Sequence, residues 1–413
     1  MQRLTRRTIL AAAPTALAFG GAILSPLPAR AAKKYGPGVT DTEIKIGNTA
    51  PYSGPLSNAA PLPLSMAAYY KMINEEGGIN GRKITFISYD DGYSPPKTVE
   101  MTRKLVEQDE VLFMAGAVGT PTNSAVWHYL NQNKVPQLFV YTGATKWNDP
   151  KGHPWTMGFP VSYQMEGRIY AAYIMQNKPD AKIGVLYQND DFGKDYMKGV
   201  VDGLGAKAES MIKLKVSYET TDPTVDSQII QLKGAGCDVL VVVAIPKFGA
   251  QAIRKVAEIE WKPLFIMNGI AASVGVTFKP AGLENAKGII ADNSFKDPTS
   301  PEWANDAGYK WWVSFMDKYY PGGDKTDLQT VYGPSNAATV VQLLKQCGDD
   351  LTRENVMRQA ANLRNFSLPM LLDGITINTS PTDFAPIKQV RMERFDGERY
   401  QFFGPVLSGG AIG

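Results

Sequence analysis

Three stretches of this 413-residue chain gather hydroxyl and small residues in a way that could hold an anion: Pro51-Tyr52-Ser53-Gly54-Pro55, residues 116–123 with Thr120, Thr122 and Asn123, and Tyr141-Thr142-Gly143-Ala144-Thr145. Each follows a strand-like run. Hydroxyls and N–H groups at a helix start attract a carboxylate or another anion. Ser, Thr and Asn also cap helices everywhere, so one such turn would mean little. Three at the same end of one sheet point to a binding site, because open parallel sheets bind ligands at the carboxyl ends of their strands. No catalytic pattern accompanies them. The chain has no Gly-x-Ser-x-Gly elbow, no His-Glu-x-x-His, no Walker loop and no Gly-x-Gly-x-x-Gly after a strand. Phe192-Gly193-Lys194-Asp195 has the Gly-Lys of a phosphate loop but neither its upstream glycine nor its Ser/Thr. His128 falls in a helix and His153 in a Pro-rich loop, without nameable partners, and structural roles are expected for both. Two histidines and two cysteines leave little room for a metal, and nothing calls for a cofactor or for an enzyme.

The elements that must position these turns alternate. Strands are expected at residues 43–48, 84–89, 111–115 and 137–140, with helices at 64–74, 95–106 and 123–131 between them. The grammar then restarts. Helices at 164–175, 192–204, 225–233 and 248–259 alternate with strands at 182–187, 211–216, 239–243 and 264–267. Such alternation builds βαβ units around parallel sheets. The last third reads differently, with helices at 302–319, 334–347 and 353–361 and strand-like pieces at 374–377 and 389–394. A tail of this kind fits a chain that returns to complete two α/β lobes already begun. The length also suits two lobes.

The N-terminus reads as an address. Arg3, Arg6 and Arg7 precede an uncharged run over residues 9–24, and Ala29-Arg30-Ala31 offers small residues to a signal peptidase. Cleavage is expected near Ala31. Thr5-Arg6-Arg7-Thr8-Ile9-Leu10 resembles the twin-arginine export pattern. Pro14 and Gly20-Gly21 break the run, which is short for a membrane span. A periplasmic protein is the expectation, with Cys237 and Cys347 as two separate thiols. With 43 basic and 40 acidic residues, no nucleic-acid partner is implied.

Ile44-Lys45-Ile46-Gly47 running into Ser53-Gly54-Pro55 resembles the opening of the type I periplasmic solute-binding proteins of the branched-chain amino-acid (leucine/isoleucine/valine-binding) ABC transporter family. Gly77-Gly78-Ile79-Asn80-Gly81, Tyr89-Asp90-Asp91, Gly143-Ala144-Thr145 and Asn189-Asp190-Asp191-Phe192-Gly193 match further blocks of that family. The resemblance implies an α/β fold of two doubly wound parallel-sheet lobes joined by a three-strand hinge, with crossovers near Phe159, Asn293 and Leu371. An N-terminal lobe of residues 41–160 with 294–371 and a C-terminal lobe of 161–293 with 372–410 follow. It further implies closure on a small solute, a hinge motion, and docking on an ABC permease in the inner membrane; a monomer is expected. A sensory binding protein reporting to a membrane receptor would share the fold.

Carried over position by position, the resemblance places a ligand carboxylate at Thr120 and at Gly143, Ala144 and Thr145. Phe192 stands for the second lobe's aromatic ring, and Tyr93 and Gly119 stand where the family's disulfide cysteines usually are. The family's second Tyr falls near Ile245-Pro246 and its amine-pairing acid near Asn268-Gly269, and both are lost. Tyr52, Phe192, Ile245, Pro246 and Phe248 would make the wall apolar; Ser53 and Asn268 complete the expected ligand set. A buried ammonium without a carboxylate costs several kcal/mol. The expected solute is thus an aromatic or other hydrophobic acid rather than a free amino acid, unless Asp190 or Glu284 supplies the missing charge.

Overall fold

The computed structural model describes residues 33–409; the expected export signal lies outside the described residues. Two sheets organise the chain. The first holds β1 (Glu43–Ala50), β2 (Lys83–Asp90), β3 (Phe113–Ala115), β4 (Gln137–Val140) and β5 (Thr156–Gly158) in the order β2-β1-β3-β4-β5, every pair parallel. Helices α1 (Pro61–Glu75), α2 (Pro95–Glu107) and α3 (Thr120–Gln132) connect its strands. Each begins with Pro in its first turn, where the missing N–H has no intrahelical partner to lose.

The second sheet repeats the order. β6 (Ile183–Gln188), β7 (Ile212–Tyr218), β8 (Val239–Val243), β9 (Leu264–Met267) and β10 (Ile290–Asn293) run β7-β6-β8-β9-β10, all parallel. An antiparallel hairpin of β11 (Gln389–Phe395) and β12 (Tyr400–Ser408) then extends the β10 edge. Helices α4 (Tyr163–Asn177), α5 (Asp191–Leu204), α6 (Asp226–Gly234) and α7 (Pro246–Glu258) accompany the sheet. The central strands of both sheets are almost wholly buried, as helix-covered parallel strands must be, while the edge strands β2, β7 and β12 are half-buried to exposed.

The last third contributes α8 (Ala307–Tyr319), α9 (Gln329–Cys347) and α10 (Arg353–Ala360). The helix expected from residue 302 starts later because Asp306 caps it, its side chain accepting the Tyr309 N–H at 2.8 Å. The helix expected from Pro334 starts earlier and runs through it. A mid-helix proline leaves the carbonyl four residues back without its partner. Here that is Thr330, whose carbonyl accepts the buried Trp312 Nε1–H at 2.9 Å. The strand expected at 374–377 is absent. Gly374 sits at φ +86° and only an isolated bridge, Phe366 to Ile377, forms there.

Three segments connect the sheets: the chain leaves β5 for α4, leaves β10 at Asn293, and re-enters the second sheet at Gln389. The second crossing pairs with residues 370–372 through Lys296 N to Met370 O and Leu372 N to Ser294 O, at 2.8 and 2.9 Å. Residues 376–384 are tied to Leu363, Phe366 and Asn148 before that re-entrance. Cys237 and Cys347 are buried free thiols, and burial pushes the Cys347 thiol up to about 12, which keeps it un-nucleophilic.

Candidate functional site

The carboxyl ends of the two sheets face one another across a cavity. From the first lobe come the turns after β1 (Leu56, Asn58, Ala59), after β3 (Val118, Gly119, Thr120) and after β4 (Tyr141). From the second come Phe192 after β6, Ile245 and Pro246 after β8, and Ile270 after β9; Tyr93, Tyr163 and Gln329 fill the gaps. Among the described lining residues no side chain is charged. The cavity is small, with about 30 Å³ open to the centre of a water molecule.

The β3–α3 turn is shaped by Gly119, at φ +98°; a Cβ there would lie 2.5 Å from the Tyr93 ring. The two positions that stand for the family's disulfide cysteines are thus joined by ring-on-glycine packing. The Tyr93 hydroxyl accepts a hydrogen bond from Gln188 Nε2 of the second lobe at 3.3 Å, and Gln188 Oε1 accepts from Tyr218 OH at 3.0 Å. Thr120 starts α3, and its Oγ1 lies 2.6 Å from Thr142 Oγ1, which also accepts from Tyr163 OH at 3.3 Å. Gln329 is 4% exposed, and its Oε1 has no hydrogen-bond partner among the described residues.

The expected ligand residues separate into groups. Thr120, Phe192 and Ile245 line the cavity. Tyr52 and Ser53 do not; Tyr52 OH pairs with Ser88 Oγ at 2.7 Å, and Ser53 gives its N–H and Oγ–H to Asp90 at 3.1 and 2.7 Å. Phe248 is fully buried one layer behind, its ring centroid 4.3 Å from that of Tyr218. Asn268 is fully buried and uses Oδ1 to accept the Ala244 N–H at 2.9 Å, tying the β8 and β9 turns together. The Gly143 carbonyl accepts Tyr163 N–H at 2.8 Å, and a Cβ at Gly143 would lie 2.1 Å from the Val161 carbonyl. Gly143, Ala144 and Thr145 border a separate outer groove. Thr145 gives its N–H and Oγ1–H to Asp195 of α5 at 2.8 and 2.9 Å. Asp190 is the N-cap of α5, accepting from Phe192 N and Gly193 N, and Glu284 is exposed.

Sequence reasoning missed Tyr93, Tyr163, Ile270 and Gln329. It also missed a second hollow at the crossovers, lined by Glu166, Gly269, Ile270, Asp292 and Asn293 and sharing Tyr141, Tyr163 and Ile270 with the first. Glu166 Oε2 accepts Tyr196 OH at 2.6 Å, and Tyr170 OH donates to Asp292. Burial raises both carboxyls, Glu166 well above the carboxylate range and Asp292 to about 6. An acid raised in the folded state costs stability as pH rises from its ordinary value through its folded value, and the full cost is present above the latter. Asp292→Asn is therefore expected to stabilise the protein at pH 7.5, on the order of 1–3 kcal/mol from a shift of about two units. The gain should vanish near pH 4. Urea unfolding of both proteins across that range checks it; an equal effect at both ends would refute the burial argument.

The comparisons with known proteins agree with this architecture. A family model described as "Periplasmic binding protein" matches residues 43–398. "Leu/Ile/Val-binding protein homolog 1" of Brucella suis is 22% identical over 318 residues, 76% of this chain and 81% of that protein. A branched-chain amino acid ABC transporter protein from Thermus thermophilus, solved with bound valine, superimposes with TM-score 0.80 at 17% identity, covering 90% of this chain and 98% of that one. A fatty acid ABC transporter substrate-binding protein from Thermomonospora curvata does so with TM-score 0.74 at 22% identity, covering 92% and 95%. The chain belongs to the periplasmic binding protein family, of the leucine/isoleucine/valine-binding type, whose members are solute-binding proteins rather than enzymes.

Proposed function

We propose that this protein is the substrate-binding subunit of an ABC importer, and that it captures a small hydrophobic acid, aromatic by preference, that carries no amino group. Family membership implies a periplasmic location, and no helix among the described residues is long and apolar enough to cross a membrane. The observation that carries the reading is the cavity itself: aromatic and aliphatic walls with no charged side chain among the described lining residues. An ammonium buried there would lack a counter-ion. A carboxylate fares better, because Gly119 and Thr120 present the N-terminus of α3, a 13-residue helix. The solute's body then lies against Phe192, Ile245, Pro246 and Ile270. Gln329, with its unsatisfied amide oxygen, offers a polar contact to a hydroxyl on the solute. The permease receives the closed, loaded form.

Calorimetry with benzoate, 4-coumarate, phenylalanine and leucine tests the reading. The acids are expected to bind and the amino acids to bind at least tenfold more weakly; tight leucine binding with silence from the acids would sink it. Thr120→Val, which keeps shape and removes the hydroxyl, is expected to weaken acid binding about tenfold, the loss of one charge-assisted hydrogen bond.

One observation favours a second reading, binding of a branched-chain or other amino acid. A Cβ at Gly269 would lie 3.3 Å from Glu166 Oε1 and 3.7 Å from Asp292 Oδ1, so two carboxyls crowd the place from which the family's acid is missing. Both are held by tyrosine hydroxyls and pushed toward their neutral forms. Asp292, at about 6, is still largely ionised at pH 7.5, but neither carboxyl lines the cavity and Asp292 is spent on the Tyr170 hydroxyl, so the first reading stands ahead.

A further inference from the structure

We propose that Asp195 is a built-in occupant of the anion site at Thr145, that it closes the lobes without solute, and that it keeps the solute's carboxylate away from the β4 turn. The geometry is that of a filled carboxylate site. Asp195 Oδ2 accepts the Thr145 N–H at 2.8 Å and the Thr145 Oγ1–H at 2.9 Å. Asp195 Oδ1 accepts Gln164 Nε2–H at 2.7 Å. Ser162 Oγ lies 2.6 Å from Thr145 Oγ1; since the Thr145 hydroxyl proton points to Asp195, Ser162 is the donor there. Both carboxylate oxygens are therefore satisfied, by three donors, and Thr145 has none left for a solute.

The contact bridges the lobes. Thr145 follows β4 of the first sheet, whereas Asp195 lies on α5 and Gln164 on α4, beside the second. The next residue repeats the pattern. Lys146 Nζ lies 2.6 Å from Asp191 Oδ2 and 2.6 Å from Ser124 Oγ, over the faces of Trp127 and Trp147 at 5.1 and 5.0 Å. Asp191 and Asp195 are four residues apart and so share one face of α5. Two successive residues of one lobe thus meet two acids on one helical face of the other. The Asp191 side chain is 59% exposed, and an exposed ion pair contributes little. Asp195 is half-buried and charge-assisted on both oxygens, so it dominates the latch.

This inference does not depend on which solute is captured. Small-angle scattering on the solute-free protein tests it, with circular dichroism to confirm folding. The unaltered protein is expected to be compact. Asp195→Ala is expected to shift the balance toward the open form at least tenfold and to raise the radius of gyration, and Asp195→Asn to do so partially. Acetate at tens of millimolar should refill the site between Thr145 and Gln164 and restore compaction in Asp195→Ala, while chloride should not. Asp191→Ala should have a much smaller effect. An already expanded unaltered protein, or an unchanged radius in both Asp195 variants, would overturn the latch. Expansion in Asp195→Ala that acetate leaves untouched would overturn the anion site.

Discussion

Replacing Gly199 with alanine is expected to destabilise the protein by about 2 kcal/mol, and with valine by about 3 kcal/mol or more. Helix propensity alone predicts the opposite sign, since alanine in a helix interior is favoured over glycine by about 1 kcal/mol. The difference lies in what the missing side chain makes room for. A Cβ on Gly199 of α5 would lie 2.4 Å from the Gln164 carbonyl of α4. A Cβ on Gly167 of α4 would lie 2.6 Å from the Tyr196 carbonyl, and one on Gly203 would meet Ala171 Cβ at 2.7 Å. The two helices thus approach through glycine, backbone against backbone, and backbone cannot rotate aside as a side chain can. α5 also carries Phe192 and Asp195, and α4 carries Gln164. Displacing one helix from the other therefore disturbs the cavity and the latch together. Urea unfolding of Gly199→Ala decides between the two signs, and a stabilised variant would refute the close-packing account.

Ile270→Glu is expected to weaken binding of 4-coumarate about a hundredfold and to admit leucine. Ile270 follows β9, lines the cavity, and stands beside Gly269. A carboxylate at this point repels an acidic solute and, with no cation among the described lining residues, lacks a partner of its own. A solute ammonium supplies that partner. The neighbouring Glu166 and Asp292 push the new acid toward its neutral form, so the gain for leucine should grow between pH 6 and 8. Calorimetry with both solutes measures the change. Unaltered 4-coumarate affinity would place the solute elsewhere.

The sheet interiors were legible because their strands are short apolar runs with abrupt ends. Gln137–Val140, Val239–Val243 and Leu264–Met267 are found at their expected bounds. Thr156–Gly158 is too short to show a period, Ile290–Asn293 hides behind Asp292 and Asn293, and Gly404-Pro405 interrupts Tyr400–Ser408. The lining of the candidate cavity was legible where a turn follows a recognisable strand, as at Thr120, Phe192 and Ile245. It was illegible where tertiary packing alone decides. Gln329 lies far along the chain from every turn with which it shares the cavity, at the start of a helix whose first turns were unread because Pro334 looked like a beginning. Tyr52, Phe248 and Asn268 were close in sequence to the right turns, yet their side chains are spent on Ser88, Tyr218 and the Ala244 N–H. Nothing in composition shows which hydroxyl faces a cavity and which binds its neighbour.

The three crossings between the sheets have a kinetic meaning. A single flexible tether would leave one lobe exploring a large volume around the other, at an effective concentration in the millimolar range. Three tethers that cross side by side remove most of that volume and leave essentially one rotation. The faces meet on almost every swing, and closure gives up little translational freedom. Contacts too weak to hold two separate proteins together are then enough to hold two halves of one. The solute enters as an added bond in a step already close to unimolecular, so its own binding energy is left to decide which molecule is carried rather than to assemble the carrier.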